Sequence, residues 1–446
     1  MGNAALFSFR EAAATCRKHG RKKTQNEIAF ESPASFRGGS PSSAPPLSWR
    51  KTDVANGDHV RHHAAMNAFR LLPVLFCLLL SRLVAETPPL APLLTPFVEK
   101  GELAGAVALV ADAEGVVSVD CVGFADREAG RPMAPDTLFW IASQTKPVTA
   151  VAVMMLVDEG KLSLDDPVAR YLPDFANQWL AAEKGEDRVV LVKPARPVTL
   201  RDCLAHIGGL PFRSAAEEPT LDGLPLAIAV KTYAMTPLQT EPGTAYQYSN
   251  AGINTAARVL EVVSGQPYET FLQERLFDPL GMKDTTFWPD EAQTARLAKS
   301  YRPDKDKTKL EPFDISQLRY PLSDRVHRFP MPAGGLFSTA QDTARFCRML
   351  LNRGELDGRR YLSETAFAEL TKRQTPESVK NAYGLGLSLG PGWFGHGGAH
   401  ATNMAVHPGQ GIAFVWMVQH SGFVGEGAKA QEVFKSHFLK AAKAAE

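Results

Sequence analysis

The chain has 446 residues, 44% of them apolar and 22% charged, with 49 Lys and Arg against 48 Asp and Glu. That is globular composition, with length for a large core or two, and the near-zero balance excludes a polyanion-binding protein built on net charge. The five cysteines, Cys16, Cys77, Cys121, Cys203 and Cys347, are isolated from one another, so neither a zinc site nor a disulfide framework is expected.

In chain order, residues 1–65 are rich in Ser, Pro and Gly and carry one basic run, "RKHGRKK" (17–23), which reads as unfolded charge. From Met66 the stretch "MNAFRLLPVLFCLLLSRLVAETPP" has a start residue, an arginine, an apolar run of about ten and a small residue at Ala85, the order of a secretory signal. The run is too short to span a bilayer, which needs roughly 20 apolar residues. The expectation is translation from Met66, a signal over 66–85 with an uncertain cleavage point, and a mis-assigned extension over 1–65. The product would be exported to the periplasm or medium, with no stable membrane span after cleavage.

The folded part is expected over 90–440. "LAPLLTPFVEKGEL" reads as a helix, and "GAVALVADAEGVVSVDCVGFAD" as two strands about a turn at Glu114-Gly115. Residues 143–350 are mostly helical, as in "KPVTAVAVMMLVDEGKL", "AGINTAARVLEVVSG" and "TAQDTARFCRMLLNRGEL"; "DRVVLVKPARP" (187–197) interrupts them as a solvated hairpin. Near the C-terminus "GLGLSLG", "NMAVHPG" and "GIAFVWMVQH" read as strands and "GEGAKAQEVFKSHFLKAAKAA" as an amphipathic helix. The fold class is therefore α/β (α+β): an antiparallel sheet built from both chain ends, flanked by helices, with a mostly helical region inserted and a cleft between the parts.

Three short patterns carry candidate chemistry. In "WIASQTKPVTA" (140–150), Ser143 and Lys146 are three apart at the start of an apolar helix and so share a face. A lysine can take a serine's proton if burial depresses its pKa, and the helix N-terminus suits an oxyanion. The bare pattern occurs by chance; "SWRK" (48–51) is a decoy in unstructured text. In "YQYSN" (246–250), Tyr248 could relay protons and Asn250 could hold both the lysine and a substrate carbonyl. The plainer alternative makes Asn250 an N-cap and Tyr248 a packed ring, with Tyr246 a competing tyrosine. In "WFGHGGAH" (393–400), glycines after His396 allow close backbone approach and an exposed N–H for an oxyanion hole. His206 in "AHIGGLP" reads instead as a helix C-terminus, and His407 in "VHPGQG" as a turn. Whether Trp393 and Phe394 line a pocket or pack as core stays open.

In that order, S-x-x-K, Y-x-N and H-x-G resemble the serine β-lactamase and penicillin-binding-protein superfamily, in its class C-like esterase and D-peptidase branch. "LRDCLAHIGGLP" (200–211), "PGTAYQYSNAGINTAARVLEVVSGQPYETFL" (242–272) and "PAGGLFSTAQDTARFCRMLL" (332–351) resemble its connecting segments. The resemblance implies that Ser143 is the acyl-forming nucleophile, Lys146 its proton partner and Tyr248 the base that activates water. It gives substrate-binding or orienting roles to Asn250, His396 and Gly398, and an oxyanion hole to the backbone N–H groups of Ser143 and Ala399. Losing such a donor typically costs about 2.7–4 kcal/mol. The departure is His396, where penicillin-recognising members carry Lys-Thr-Gly; a histidine is mostly neutral near pH 7 and binds a carboxylate poorly. The implied function is cleavage of a small ester, amide or lactone without metal or cofactor. The alternatives are a β-lactamase or D-Ala-D-Ala-type peptidase on peptide substrates, or a penicillin-binding sensor that does not turn over. No nucleic-acid partner is expected, and the oligomeric state is unknown.

Overall fold

The computed structural model describes residues 89–185 and 188–444. The proposed signal, the residues before it, Cys16, Cys77 and the "SWRK" decoy lie outside the described residues. Among those described, no helix is long and apolar enough to cross a membrane.

Helix α1 (Ala91–Glu99) leads into strands β1 (Gly105–Asp112) and β2 (Val116–Asp126). Their turn forms where expected because Asp112 Oδ1 accepts from the backbone N–H groups of Glu114 and Gly115, both at 2.8 Å. A short β3 (Arg131–Pro132) completes this side. From the far end of the chain come β4 (Ser388–Gly390), β5 (Trp393–Gly397), β6 (Asn403–His407) and β7 (Ile412–Met417). The seven strands form one antiparallel sheet in the order β4-β5-β6-β7-β1-β2-β3, with Leu109 opposite Val415 where the two chain ends meet.

Strand β1 alternates strictly. Ala106, Ala108 and Val110 pack with Phe414 and Trp416 against α1 and the C-terminal helix α5 (Ala430–Ala444); Val107, Leu109 and Ala111 join the main core on the other face. Both faces are covered, which is why β1 reads as a nearly continuous apolar run.

On the main-core face lie α2 (Thr145–Asp158), α3 (Asn250–Ser264) and α4 (Ala340–Leu351). Every residue of α2 from Thr145 to Leu156 is buried, consistent with a helix apolar on all sides. The N-cap of α3 is Ser249, whose hydroxyl accepts from Gly252 N at 2.9 Å, so the plainer alternative for Asn250 does not hold: Asn250 is the first helical residue. "DRVVLVKPARP" contributes Val189–Val192 to a two-stranded hairpin with Leu180–Lys184, and Val189 and Leu191 stay exposed. "GLGLSLG" yields only the three residues of β4, because Gly386 bends the chain at φ 67°.

Candidate active site

A 3-10 turn, Ala142–Gln144, delivers the chain into α2. Ala142 sits at φ 47°, a left-handed conformation that a non-glycine residue adopts only under constraint, and it immediately precedes Ser143. One turn on, Lys146 is fully buried. Its Nζ donates to Asn250 Oδ1 at 2.8 Å and to the Ala333 carbonyl at 2.6 Å, and lies 3.0 Å from Ser143 Oγ.

Burial holds the Lys146 pKa well below that of an ordinary lysine, because removing an ammonium from water costs several kcal/mol. A neutral amine has two hydrogens and one lone pair. With the hydrogens given to Asn250 and Ala333, the lone pair remains for the Ser143 hydroxyl. In its ammonium form the same nitrogen donates to Ser143 Oγ, so the contact survives proton transfer in either direction.

Tyr248 stands one residue before the α3 cap, with its ring centroid 4.6 Å from Lys146 Nζ. Burial pushes its phenol pKa well up, against a smaller downward pull from its hydrogen bond with Ser143, so the resting residue keeps its proton. Asn250 accepts Lys146 through Oδ1, leaving its NH2 as the donating half of the amide.

The end of β5 supplies another wall. A Cβ on Gly398 would stand 2.1 Å from Thr402 Oγ1 and 2.5 Å from Ile141 O, so glycine is required for this segment to approach the backbone that leads into Ser143. Gly398 N–H is taken by Thr402 O at 2.7 Å, and Ala399 follows it along the wall. His396 is turned inward: Nδ1 lies 2.7 Å from Gly397 O and Nε2 2.9 Å from Tyr383 Oη. Burial, reinforced by Lys146, pulls its pKa to about 3, so the imidazole is neutral.

Ser143, Tyr248, Asn250, Gly398 and Ala399 line one cavity of about 320 Å³. His396 supports the wall from behind. Trp393 stays outside this cavity, partly exposed beneath Lys435, and Phe394 packs in the core against Phe367. His407 ends β6 at a turn, as expected.

Several residues that shape the site carry no local signal. Trp140, Phe212, Gln317 and Met331 line the cavity. Ala333 and Gly334 present carbonyls to Lys146 and, at 2.7 Å, to Trp140 Nε1. His206 does follow a short helix, Leu200–Leu204, but it also lies against Tyr248, with ring centroids 4.6 Å apart.

A family model described as Beta-lactamase matches residues 90–435. The chain belongs to the Beta-lactamase family. Within this family it is 31% identical to Penicillin-binding protein 4 of Amycolatopsis lactamdurans over 65% of this chain and 74% of that protein. It is 36% identical to Esterase EstB of Burkholderia gladioli over 45% of this chain and 50% of EstB. The solved structure of EstCE1, a hydrolase with promiscuous acyltransferase activity, superposes with a TM-score of 0.65 at 23% identity, over 80% of this chain and 98% of that one. The β-lactamase-like fold read from the motifs is thereby established, together with membership of a family of serine hydrolases that includes esterases and penicillin-binding proteins.

Proposed function

We propose that this family member is an exported serine esterase that cleaves small uncharged esters through an acyl-enzyme on Ser143. The observation that carries the choice of substrate is the cavity lining: among the described residues that form it, none bears a cationic side chain, and Trp140, Phe212 and Met331 offer apolar surface to an acyl group. In the motif resemblance His396 takes the position at which penicillin-recognising members carry a carboxylate-binding lysine, and it is neutral with both ring nitrogens engaged.

In acylation, Ser143 Oγ bonds to the ester carbonyl carbon as its proton passes to the Lys146 amine. The oxyanion would be met by the backbone N–H groups of Ser143 and Ala399 and the ester aligned by the Asn250 NH2. The tetrahedral intermediate collapses when the C–O bond to the alcohol breaks and the alkoxide takes the Tyr248 phenol proton. Tyr248 is left as a phenolate beside the Lys146 ammonium, an opposite charge that offsets its otherwise raised pKa. Water then attacks the acyl carbon and gives a proton to Tyr248. The acid leaves as Ser143 recovers its proton from Lys146, and every group returns to its starting state.

Export rests on the residues from Met66 to Ala85, and N-terminal sequencing of the natural product tests it; peptides from residues 1–65 would contradict it. The substrate proposal is tested by comparing kcat/KM for p-nitrophenyl butyrate, benzylpenicillin and a D-Ala-D-Ala peptide. The reading requires the ester to lead by at least about a hundredfold. Penicillin or peptide turnover equal to that of the ester would favour a β-lactamase or a D-Ala-D-Ala-type peptidase instead.

A further inference from the structure

Behind the cavity lie three buried rings that the proposed reaction does not use: His206, Tyr383 and His396. Their hydrogen-bond directions are fixed from the two ends. Ser249 N–H points to His206 Nδ1 at 3.2 Å, and a backbone N–H can only donate, so Nδ1 carries no hydrogen. Burial keeps His206 neutral, which places its hydrogen on Nε2, 3.2 Å from Tyr383 Oη. At the other end His396 Nδ1 faces the Gly397 carbonyl, which can only accept. His396 Nδ1 therefore holds the hydrogen, leaving Nε2 bare and 2.9 Å from Tyr383 Oη. Tyr383 accepts from His206 and donates to His396. A tyrosine hydroxyl does both at once, and phenylalanine does neither.

The ends of this chain are placed for a purpose. Ser249 lies between Tyr248 and Asn250, and Gly397 precedes Gly398 and Ala399. His206 holds its position in a left-handed conformation, φ 60°, with its own carbonyl accepting from Gln247 N at 2.8 Å. The Tyr383 segment is tied to the same region by Gly386 N donating to Leu204 O at 2.9 Å.

We propose that Tyr383 is a positioning residue that fixes the spacing of the two cavity walls through one directional chain, Ser249 N–H to His206 to Tyr383 to His396 to Gly397 C=O. Its catalytic consequence rests on the hydrolase reading above. The chain holds the Tyr248–Asn250 bend and the Ala399 backbone in register for the transition state, and it consigns His206 and His396 to opposite tautomers.

The test combines long-range 1H–15N NMR of 15N-histidine-labelled protein at pH 7 with ester kinetics. His206→Gln and His396→Asn variants assign the two rings. Wild type is expected to show His206 as the Nε2–H form and His396 as the Nδ1–H form, and Ser143→Ala is expected to keep both while losing turnover. Tyr383→Phe is expected to lower kcat for p-nitrophenyl butyrate about tenfold to a hundredfold, with KM changed less than about threefold, since slight misplacement of reacting groups acts on the chemical step. The same variant should lose the fixed tautomer of at least one histidine. The same tautomer for both histidines in wild type, or an unchanged kcat in folded Tyr383→Phe, overturns the proposal. Should that variant not fold, the wild-type spectrum still decides. Opposite tautomers in a wild type with no ester turnover would overturn the hydrolase reading and leave the chain standing.

Discussion

Lys146 Nζ and Ser143 Oγ lie 3.0 Å apart, one helical turn from each other, on a helix whose first three turns are entirely buried. The two partners that fix the lysine, Asn250 and Ala333, are both acceptors, and among the described residues no carboxylate hydrogen-bonds to it, so burial depresses its pKa unopposed. The site is thus arranged to keep an amine basic and poised where an ion pair would have locked it as a cation.

Lys146→Met keeps the buried volume and removes the base, while Lys146→Arg keeps a cation that never deprotonates. Both are expected to lower kcat/KM by about 10²–10⁴-fold, the usual worth of a positioned proton-transfer group. Lys146→Met is expected to melt lower than wild type, because Asn250 Oδ1 and the Ala333 carbonyl, both buried, lose their donor. Ester kinetics and thermal melts on the purified variants check both; an active Arg variant would remove Lys146 from the proton path.

With an aryl ester, whose p-nitrophenolate departs without the Tyr248 proton, Tyr248→Phe separates the two half-reactions. The ring packing against His206 is kept, but the group that returns as a base for water is gone. Stopped-flow mixing with p-nitrophenyl butyrate is expected to give a burst of one p-nitrophenol per enzyme followed by turnover about 10²-fold or more slower. A steady state as fast as wild type would assign water activation elsewhere.

The cavity roof depends on a buried ion pair. Arg328 Nε meets Asp222 Oδ2 at 2.7 Å, both residues almost wholly buried, and Asp222 also accepts from Arg319 N at 2.9 Å. The pair pins the segment that carries Gln317 and Met331 over the site. Removing one partner, as in Asp222→Asn or Arg328→Met, leaves a buried charge alone and is expected to cost about 3–5 kcal/mol of stability. The double variant Asp222→Asn/Arg328→Met is expected to lose clearly less than the sum of the two single losses. Urea titration of wild type and the three variants measures it, and additive losses would contradict a pairwise origin.

Acid should destabilise the protein before its carboxylates titrate. Burial lowers the pKa of His396 to about 3, of His400 to about 4 and of His420 to about 3. Below the unfolded value of about 6.5, the unfolded chain binds protons that the folded chain refuses, so stability falls as pH drops. The slope is about 1.4 kcal/mol per pH unit for each such histidine. Melting temperatures measured from pH 7.5 to 5 are expected to be flat above 6.5 and to fall below it; a flat profile to pH 5 would contradict the assignment.

Ser143 with Lys146 and Tyr248 with Asn250 are legible as candidates because each pair lies close in sequence, the first at helical spacing and the second at a helix entry. The sheet was legible from its period-two and continuous apolar runs, and the Glu114-Gly115 turn from its residues. What escaped was long-range. His206 and Tyr383 are 177 residues apart, and nothing near either one signals the other. "AHIGGLP" reads as a helix end, and His206 does follow one, but a helix end can also place a ring beside Tyr248. The resemblance gives His396 a substrate-binding or orienting role; its two ring nitrogens lie within hydrogen-bond distance of Gly397 O and Tyr383 Oη, contacts that no local pattern signals. The Asn250 cap alternative failed because Ser249, one residue earlier, has the side chain that reaches Gly252 N.

The most direct test of the account is intact and peptide mass spectrometry of the protein acid-quenched during turnover of p-nitrophenyl butyrate, with Tyr248→Phe included to prolong the intermediate. A single butyryl adduct is expected, mapped to Ser143, abolished in Ser143→Ala and strongest in Tyr248→Phe. Ester hydrolysis without any adduct on Ser143, or persisting in Ser143→Ala, would contradict it.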